Sequence, residues 1–168
     1  LFDRALGPII NSEGRARCPG QHRNNPMTDQ ENTPVSATIV ADADRLDFFP
    51  TFFGKYFMAG ENLLYVHADR FVEEYQGGYW NFYTLSNGGF FAALDTDKEQ
   101  HVVVADNYCS ERMSAEAAGV TLMLFVLGRL MAARIPENEA DRFIDLYHKL
   151  REYALGHAEA QAILTAID

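Results

Sequence analysis

At 168 residues, with 48% hydrophobic and 23% charged side chains, the chain has the size and composition of one folded domain with a real core. Its formal net charge of -10 argues against a sequence-unspecific nucleic-acid binder and against attachment to anionic membranes, both of which need basic surface. Two cysteines, Cys18 and Cys109, do not make a disulfide framework, so a reducing compartment is expected.

The charge is unevenly spread. Residues 1–26 carry Arg4, Arg15, Arg17 and Arg23 against Asp3 and Glu13, leaving 10 basic and 22 acidic residues, net -12, in the remainder. Residues 1–34 are rich in Gly, Pro, Asn and Arg with little periodicity and read as a flexible extension. Met27 has the position of a natural start, and residues 35–168 read as a single globular domain. No basic stretch followed by an apolar run marks a signal peptide.

Val35–Val40 is short and partly β-branched, suited to a first strand or an extended lead-in. Asp42–Phe49 carries its acids first and Leu46, Phe48 and Phe49 later. Pro50 is expected to push Phe49 out of the helical region and to open a new helix, Thr51–Ala59, stopped by Gly60. Glu61–Gln76 reads as the next helix, with Leu63, Leu64, His67, Phe71 and Tyr75 on one side and Gly77 as its cap. Tyr79–Leu85, a tight turn at Ser86–Gly89, Phe90–Leu94 and His101–Ala105 then predict three strands in antiparallel meander order. A polar loop, Asp106–Cys109, follows. Ser114 is the expected N-cap of an apolar helix over Ala115–Ala133. That helix contains Arg129, Gly119 and Gly128 and reads as a buried core element rather than a membrane span. Pro136 opens a helix to about Leu155, with Phe143, Ile144, Tyr147, Leu150 and Ala154 inward, and Ala158–Ile167 forms a last short helix. The expected fold class is α+β: a small antiparallel sheet packed with N-terminal and C-terminal helices.

The residues offer little for catalysis. The five histidines show no His-x-x-x-His and the cysteines no Cys-x-x-Cys, so no metal site is predicted. Asp69 and Glu73 lie at i, i+4 on one helical face, but paired carboxylates work as acid and base only when burial or coupling separates their pKa values, and the pattern fits a solvated face. Cys109 has no evident base partner. Ser86 lacks the Gly-x-Ser-x-Gly context, and the glycine pairs match no phosphate loop. Glu137, Asp141 and Asp145 recur every four residues, about 6 Å apart along a helix. That spacing would suit a DNA-mimicking stripe, although Lys149 ends the row and solvent exposure alone explains it.

Several motifs in order carry a resemblance. Glu61-Asn62-Leu63-Leu64-Tyr65, Gly77-Gly78-Tyr79-Trp80-x-Phe82-Tyr83-Thr84-Leu85-Ser86-Asn87-Gly88-Gly89-Phe90, Asp106-Asn107-Tyr108, Met113-Ser114-Ala115-x-Ala117-Ala118-Gly119 and Tyr147-His148-x-Leu150-Arg151-x-Tyr153-Ala154 together resemble antirestriction proteins of the KlcA/ArdB type. The likeness runs from about Phe48 to the C-terminus; residues 1–26 depart from it, as does Ala93-Leu94 where the family tends to have a proline. It implies a small cytoplasmic protein of plasmids and other mobile elements that protects incoming DNA from type I restriction. It also implies no enzymatic activity, no cofactor, and a type I restriction-modification enzyme or an associated host protein as partner. The family fixes no active residues. The polar, turn-bearing positions are therefore the candidate contacts: Asn87, Gly88 and Gly89 at the hairpin, Glu61 and Asn62 at an expected helix start, and Asp106, Asn107 and Tyr108 in the loop. Their structural alternatives are turn chemistry, capping and Asx-type bonding, respectively. Trp80 reads as core. The acidic stripe Glu137, Asp141, Asp145 serves the alternative of a DNA mimic, and a small hydrolase built on Asp69, Glu73 or Cys109 is the second alternative. The oligomeric state stays open.

Overall fold

Residues 33–73 and 75–168 are described by the computed structural model; the extension expected over residues 1–26 and the natural start expected at Met27 lie outside them. Strand β1 (Ala37–Ile39) leads through a short turn into helices α1 (Arg45–Phe53) and α2 (Phe57–Phe71). Strands β2 (Trp80–Leu85), β3 (Phe90–Leu94), β4 (Gln100–Val104) and β5 (Cys109–Met113) follow, then helices α3 (Ala115–Met131), α4 (Glu137–Gly156) and α5 (Ala160–Ile167). The α+β class with a small antiparallel sheet between helices is the one expected. Among the described residues no helix is long and apolar enough to cross a membrane.

Among the described residues two sheets form, in orders β1-β2-β3 and β4-β5. The expected hairpin is present, with Trp80 opposite Leu94 and Thr84 opposite Phe90. The third strand beside it is β1, paired through Ala37–Leu85 and Ile39–Tyr83, and not residues 101–105. Strand β4, Gln100–Val104, instead pairs with Cys109–Met113, from Gln100–Met113 to Val104–Cys109, and Ala105 lies beyond it. That partner strand reads as polar (Cys-Ser-Glu-Arg-Met) because only its two ends, Cys109 and Met113, are buried.

Three helix boundaries also differ from expectation. Pro50 lies inside α1. It removes the bond that would reach the Leu46 carbonyl, on a residue 89% exposed where water can substitute. In exchange, the continuous helix lines Phe48, Phe49, Phe52 and Phe53 along one side. Phe48 stacks flat on Phe82 at 4.4 Å between ring centroids, and Phe52 on Phe90 at 4.1 Å. Tertiary packing overrides the local preference. Gly60 likewise does not stop a helix but sits buried within α2, where an added Cβ would stand 2.5 Å from Phe53 Cδ2. It lets α1 and α2 touch. Finally, α2 ends at Phe71 and not near Gln76, because Val72 bridges to Val102 and the Glu73 N–H donates to the His101 carbonyl at 2.9 Å. Gly77, with φ of 86°, lies in the loop beyond.

The hairpin is covered on both faces. Phe82 and Phe90 meet α1, while on the other face Tyr83 stacks on Phe91 at 4.6 Å and Phe91 on Tyr153 of α4 at 5.5 Å. Trp80 is buried, between Tyr65 and Tyr75, as its core reading required. Helix α3 runs through the middle and buries twelve residues from Ala115 to Leu130. The Ser114 hydroxyl caps it by accepting from Ala117 N–H at 3.1 Å, as expected. On α4 the inward stripe is Phe143, Leu146, Leu150 and Ala154; Ile144, expected inward, is 39% exposed.

Candidate functional site

The hairpin tip is a joint between elements. Asn87 Nδ2 donates to the Lys149 carbonyl and to Glu152 Oε2, each at 2.9 Å, while Asn87 Oδ1 accepts from Gly89 N–H at 3.0 Å. Gly88 takes a left-handed φ of 82°. A Cβ on buried Gly89 would come within 3.2 Å of Leu85, Asn87 and Lys149 side-chain atoms. Asn87 and Gly89 are thus occupied in holding β2–β3 to α4, while Gly88 closes the turn by donating its N–H to the Leu85 carbonyl at 2.9 Å.

Asn107 is engaged in the same way. Its Nδ2 donates to the Ala166 carbonyl at 2.8 Å and the Thr165 carbonyl at 3.2 Å, closing the C-terminus of α5. Its Oδ1 accepts from Cys109 N–H at 3.1 Å. Either side of it the loop points outward. Asp106 accepts from Arg70 of α2 at 3.3 Å, and Tyr108 is 95% exposed with φ of 59°. Left-handed backbone costs a non-glycine residue about 1–2 kcal/mol. Asn107 clamps the turn on one side and β5 begins on the other, so the ring is presented from a fixed backbone.

Glu61 and Asn62 are not at a helix start: they lie in the second turn of α2, so neither caps it. Glu61 accepts from the Tyr65 hydroxyl at 3.1 Å, and burial together with the Glu61 charge pushes the Tyr65 pKa up to about 12. Asn62 is exposed beside Met58 and Tyr65. Through Arg70, the far end of α2 reaches the Asp106–Tyr108 loop. The structure therefore connects two of the three candidate groups by way of one helix and leaves the hairpin group against α4.

The side chains considered for chemistry are scattered. Asp69 is exposed on α2, while Glu73 lies past the helix end and pairs with His101 at 2.7 Å, so the expected i, i+4 carboxylate pair does not form. Cys109 is buried, and desolvation with the Glu111 charge holds its thiol above the ordinary value, the opposite of nucleophile activation. In the stripe, Asp145 accepts from Lys149 at 2.6 Å, which cancels one of its three charges; Glu137 and Asp141 are exposed. Nearby, Glu139 is paired with Lys55 at 2.9 Å.

A polar cleft of about 580 Å³ lies between β2–β3 and the start of α3. Three of its carboxylates serve as acceptors within the fold: Glu159 for the Ser114 N–H and hydroxyl, Glu116 for the Tyr153 hydroxyl, Asp95 for Asn81 Nδ2. The Tyr153 pKa is raised by burial and by Glu116, so its hydroxyl stays protonated and keeps donating. The cleft entrance is acidic, and its inner bonds tie α3, α4 and α5 together.

Comparison with known proteins decides the family. A family model described as antirestriction protein matches residues 73–168. Antirestriction protein KlcA from Escherichia coli is 47% identical over 139 residues, covering 82% of this chain and 98% of that protein. The chain belongs to the antirestriction family of the KlcA/ArdB type. A second KlcA from Escherichia coli is 45% identical, covering 84% of this chain and all of that protein. A solved structure of this family has a TM-score of 0.76 at 46% identity, covering 83% of this chain and 99% of the other. That work describes KlcA and ArdB as having a novel fold and antirestriction activity against type I DNA restriction systems in vivo but not in vitro. The motif resemblance and the fold class are thereby established.

The exposed apolar residues of α1 and α2 went unrecognised in the sequence. Leu46 and Met58 are 89% and 71% exposed, and apolar character alone does not separate an exposed side chain from a buried one. The left-handed backbone of Tyr108 had no signal either, since glycine or asparagine normally marks such a position.

Proposed function

We propose that this protein counters type I restriction in the cell by contact with a protein, without catalysis and without imitating DNA. Its membership of the antirestriction family over nearly the full length of its KlcA relatives carries the reading. The geometry supports a contact mechanism. Most of the polar candidates are consumed by bonds within the fold, and what remains outward on the loop is Tyr108, an aromatic held on a fixed turn. Tyrosine offers large contact area at small entropic cost, which suits an interface anchor.

The in vivo but not in vitro activity described for KlcA and ArdB supports a contact that involves a cellular component besides the purified restriction enzyme. The test is transformation of unmodified plasmid into cells carrying a type I system, with and without this protein. A parallel digestion uses purified enzyme, with and without extract of the same cells. Protection in cells, and in vitro only when extract is present, is the expected result. Equal restriction in cells with and without the protein refutes the reading.

A further inference from the structure

On the outer side of α1 and α2, two adjoining depressions of about 350 and 220 Å³ share Glu61 as a wall. Leu46, Phe57 and Met58 stand around them, 89%, 37% and 71% exposed, with the Tyr65 ring at the far end. Nothing in the core needs these side chains outside. Leu46 in particular projects from a helix whose buried side is already filled by four phenylalanines. Contiguous apolar surface of this kind marks a place where another molecule sits.

The charge around the groove says what kind of molecule. Asp42, Asp44 and Asp47 are exposed at its α1 end, and Glu61 forms the wall between its two parts. Arg45, the cation that lines it, is turned inward: Nη2 donates to the Trp80 carbonyl at 2.6 Å, and the guanidinium lies 4.4 Å from the Tyr79 ring centroid and 4.5 Å from that of Phe82. The rim is therefore acidic with its base occupied. Two copies of this chain placed face to face would bring like charges together. A segment with an apolar stripe and basic flanks matches both features at once.

Resting on the proposal that the protein works by contact, we infer that the α1–α2 groove docks an apolar helical segment of a partner protein flanked by Lys or Arg, a helix-in-groove mode of recognition. The groove lies on a different part of α2 from the Arg70–Asp106 contact.

The test uses isotope-labelled full-length protein and two synthetic peptides of about five helical turns. They share one leucine stripe and differ in carrying lysine or glutamate flanks. The lysine peptide should shift the amide resonances of Leu46, Phe57, Met58 and Tyr65 saturably, and bind more weakly as salt is raised. The double variant Leu46→Gln/Met58→Gln should weaken it about tenfold or more at an unchanged melting temperature. Equal shifts from the glutamate peptide, shifts confined to another surface, or no shifts overturn the inference. So does a dimer in sedimentation that the double variant dissociates, since the occupant would then be a second copy. In cells, the double variant should lose protection that the parent shows. If parent and variant protect alike, the groove is not the docking site while the contact reading stands. If the parent itself does not protect, the contact reading fails and the peptide titration alone decides the groove.

Discussion

Gly119 of α3 lies against Ala92 of β3 so closely that a Cβ built on the glycine would stand 2.3 Å from the Ala92 carbonyl oxygen and 2.8 Å from Ala93 Cα. Both obstacles are backbone, so neither can rotate away. This contact seats the central helix on the sheet and gives a physical reason for a glycine at the end of the Met113–Gly119 motif. Gly119→Ala should therefore destabilise the fold by about 3 kcal/mol, the upper end for overpacking, despite the better helix propensity of alanine. Urea unfolding of parent and variant measures it; an unchanged or higher midpoint would show the helix free to move outward.

Asn107 joins the turn before β5 to the end of α5 by two hydrogen bonds and holds the turn itself by a third, from Cys109 N–H. Asn107→Ala should cost about 1–3 kcal/mol, since two carbonyls and one N–H lose a partner at once. Asn107→Asp should cost more at neutral pH, because an anion would face the Thr165 and Ala166 carbonyls. Hydrogen exchange should show α5 opening first in both variants.

Tyr108 gives the opposite sign. Its side chain is exposed and its backbone left-handed, so Tyr108→Gly relieves strain and should leave the fold unchanged or up to about 1 kcal/mol more stable. A structural residue would show a loss. The same denaturant titration distinguishes the two.

His67 sets a pH dependence. Its ring stacks on Phe71, and Nδ1 is buried without a hydrogen-bond partner among the described residues. Burial, then the charges of Arg70 and Arg129, lower its pKa from 6.5. Above pH 6.5 the ring is neutral in both folded and unfolded chains and contributes no slope. As the pH falls below 6.5 the unfolded chain takes up a proton that the folded chain resists, so stability declines until the folded pKa is passed. His67→Gln should flatten stability against pH on the acid side of 6.5 relative to the parent. Parallel curves for the two proteins would contradict this assignment.

The parts of the fold legible in the sequence are those where local chemistry and tertiary packing agree. Ser114 as a cap, the Asn87-Gly88 turn and the apolar run of α3 are of this kind. The reading goes astray where packing outweighs local preference. Pro50 stays helical because four phenylalanines need one continuous face, and Gly60 stays helical because a ring of Phe53 lies on it. Strand β5 is hidden because its middle is solvent-facing and polar. The family is legible through its motifs, but the candidate contacts are not separated by them. Asn87 and Asn107 look as available as Tyr108 until their hydrogen bonds across 62 and 59 residues of chain are seen. Long-range bonds of that kind leave no local pattern.

Plating efficiency of unmodified phage on a host with a type I system tests the central claim most directly. The parent, Tyr108→Gly, and the triple variant Glu137→Gln/Asp141→Asn/Asp145→Asn are compared at equal expression. A contact mechanism predicts protection by the parent and the triple variant, and its loss in Tyr108→Gly. No protection by the parent would contradict the antirestriction reading. Protection lost in the triple variant but kept in Tyr108→Gly would place the activity in the acidic stripe instead.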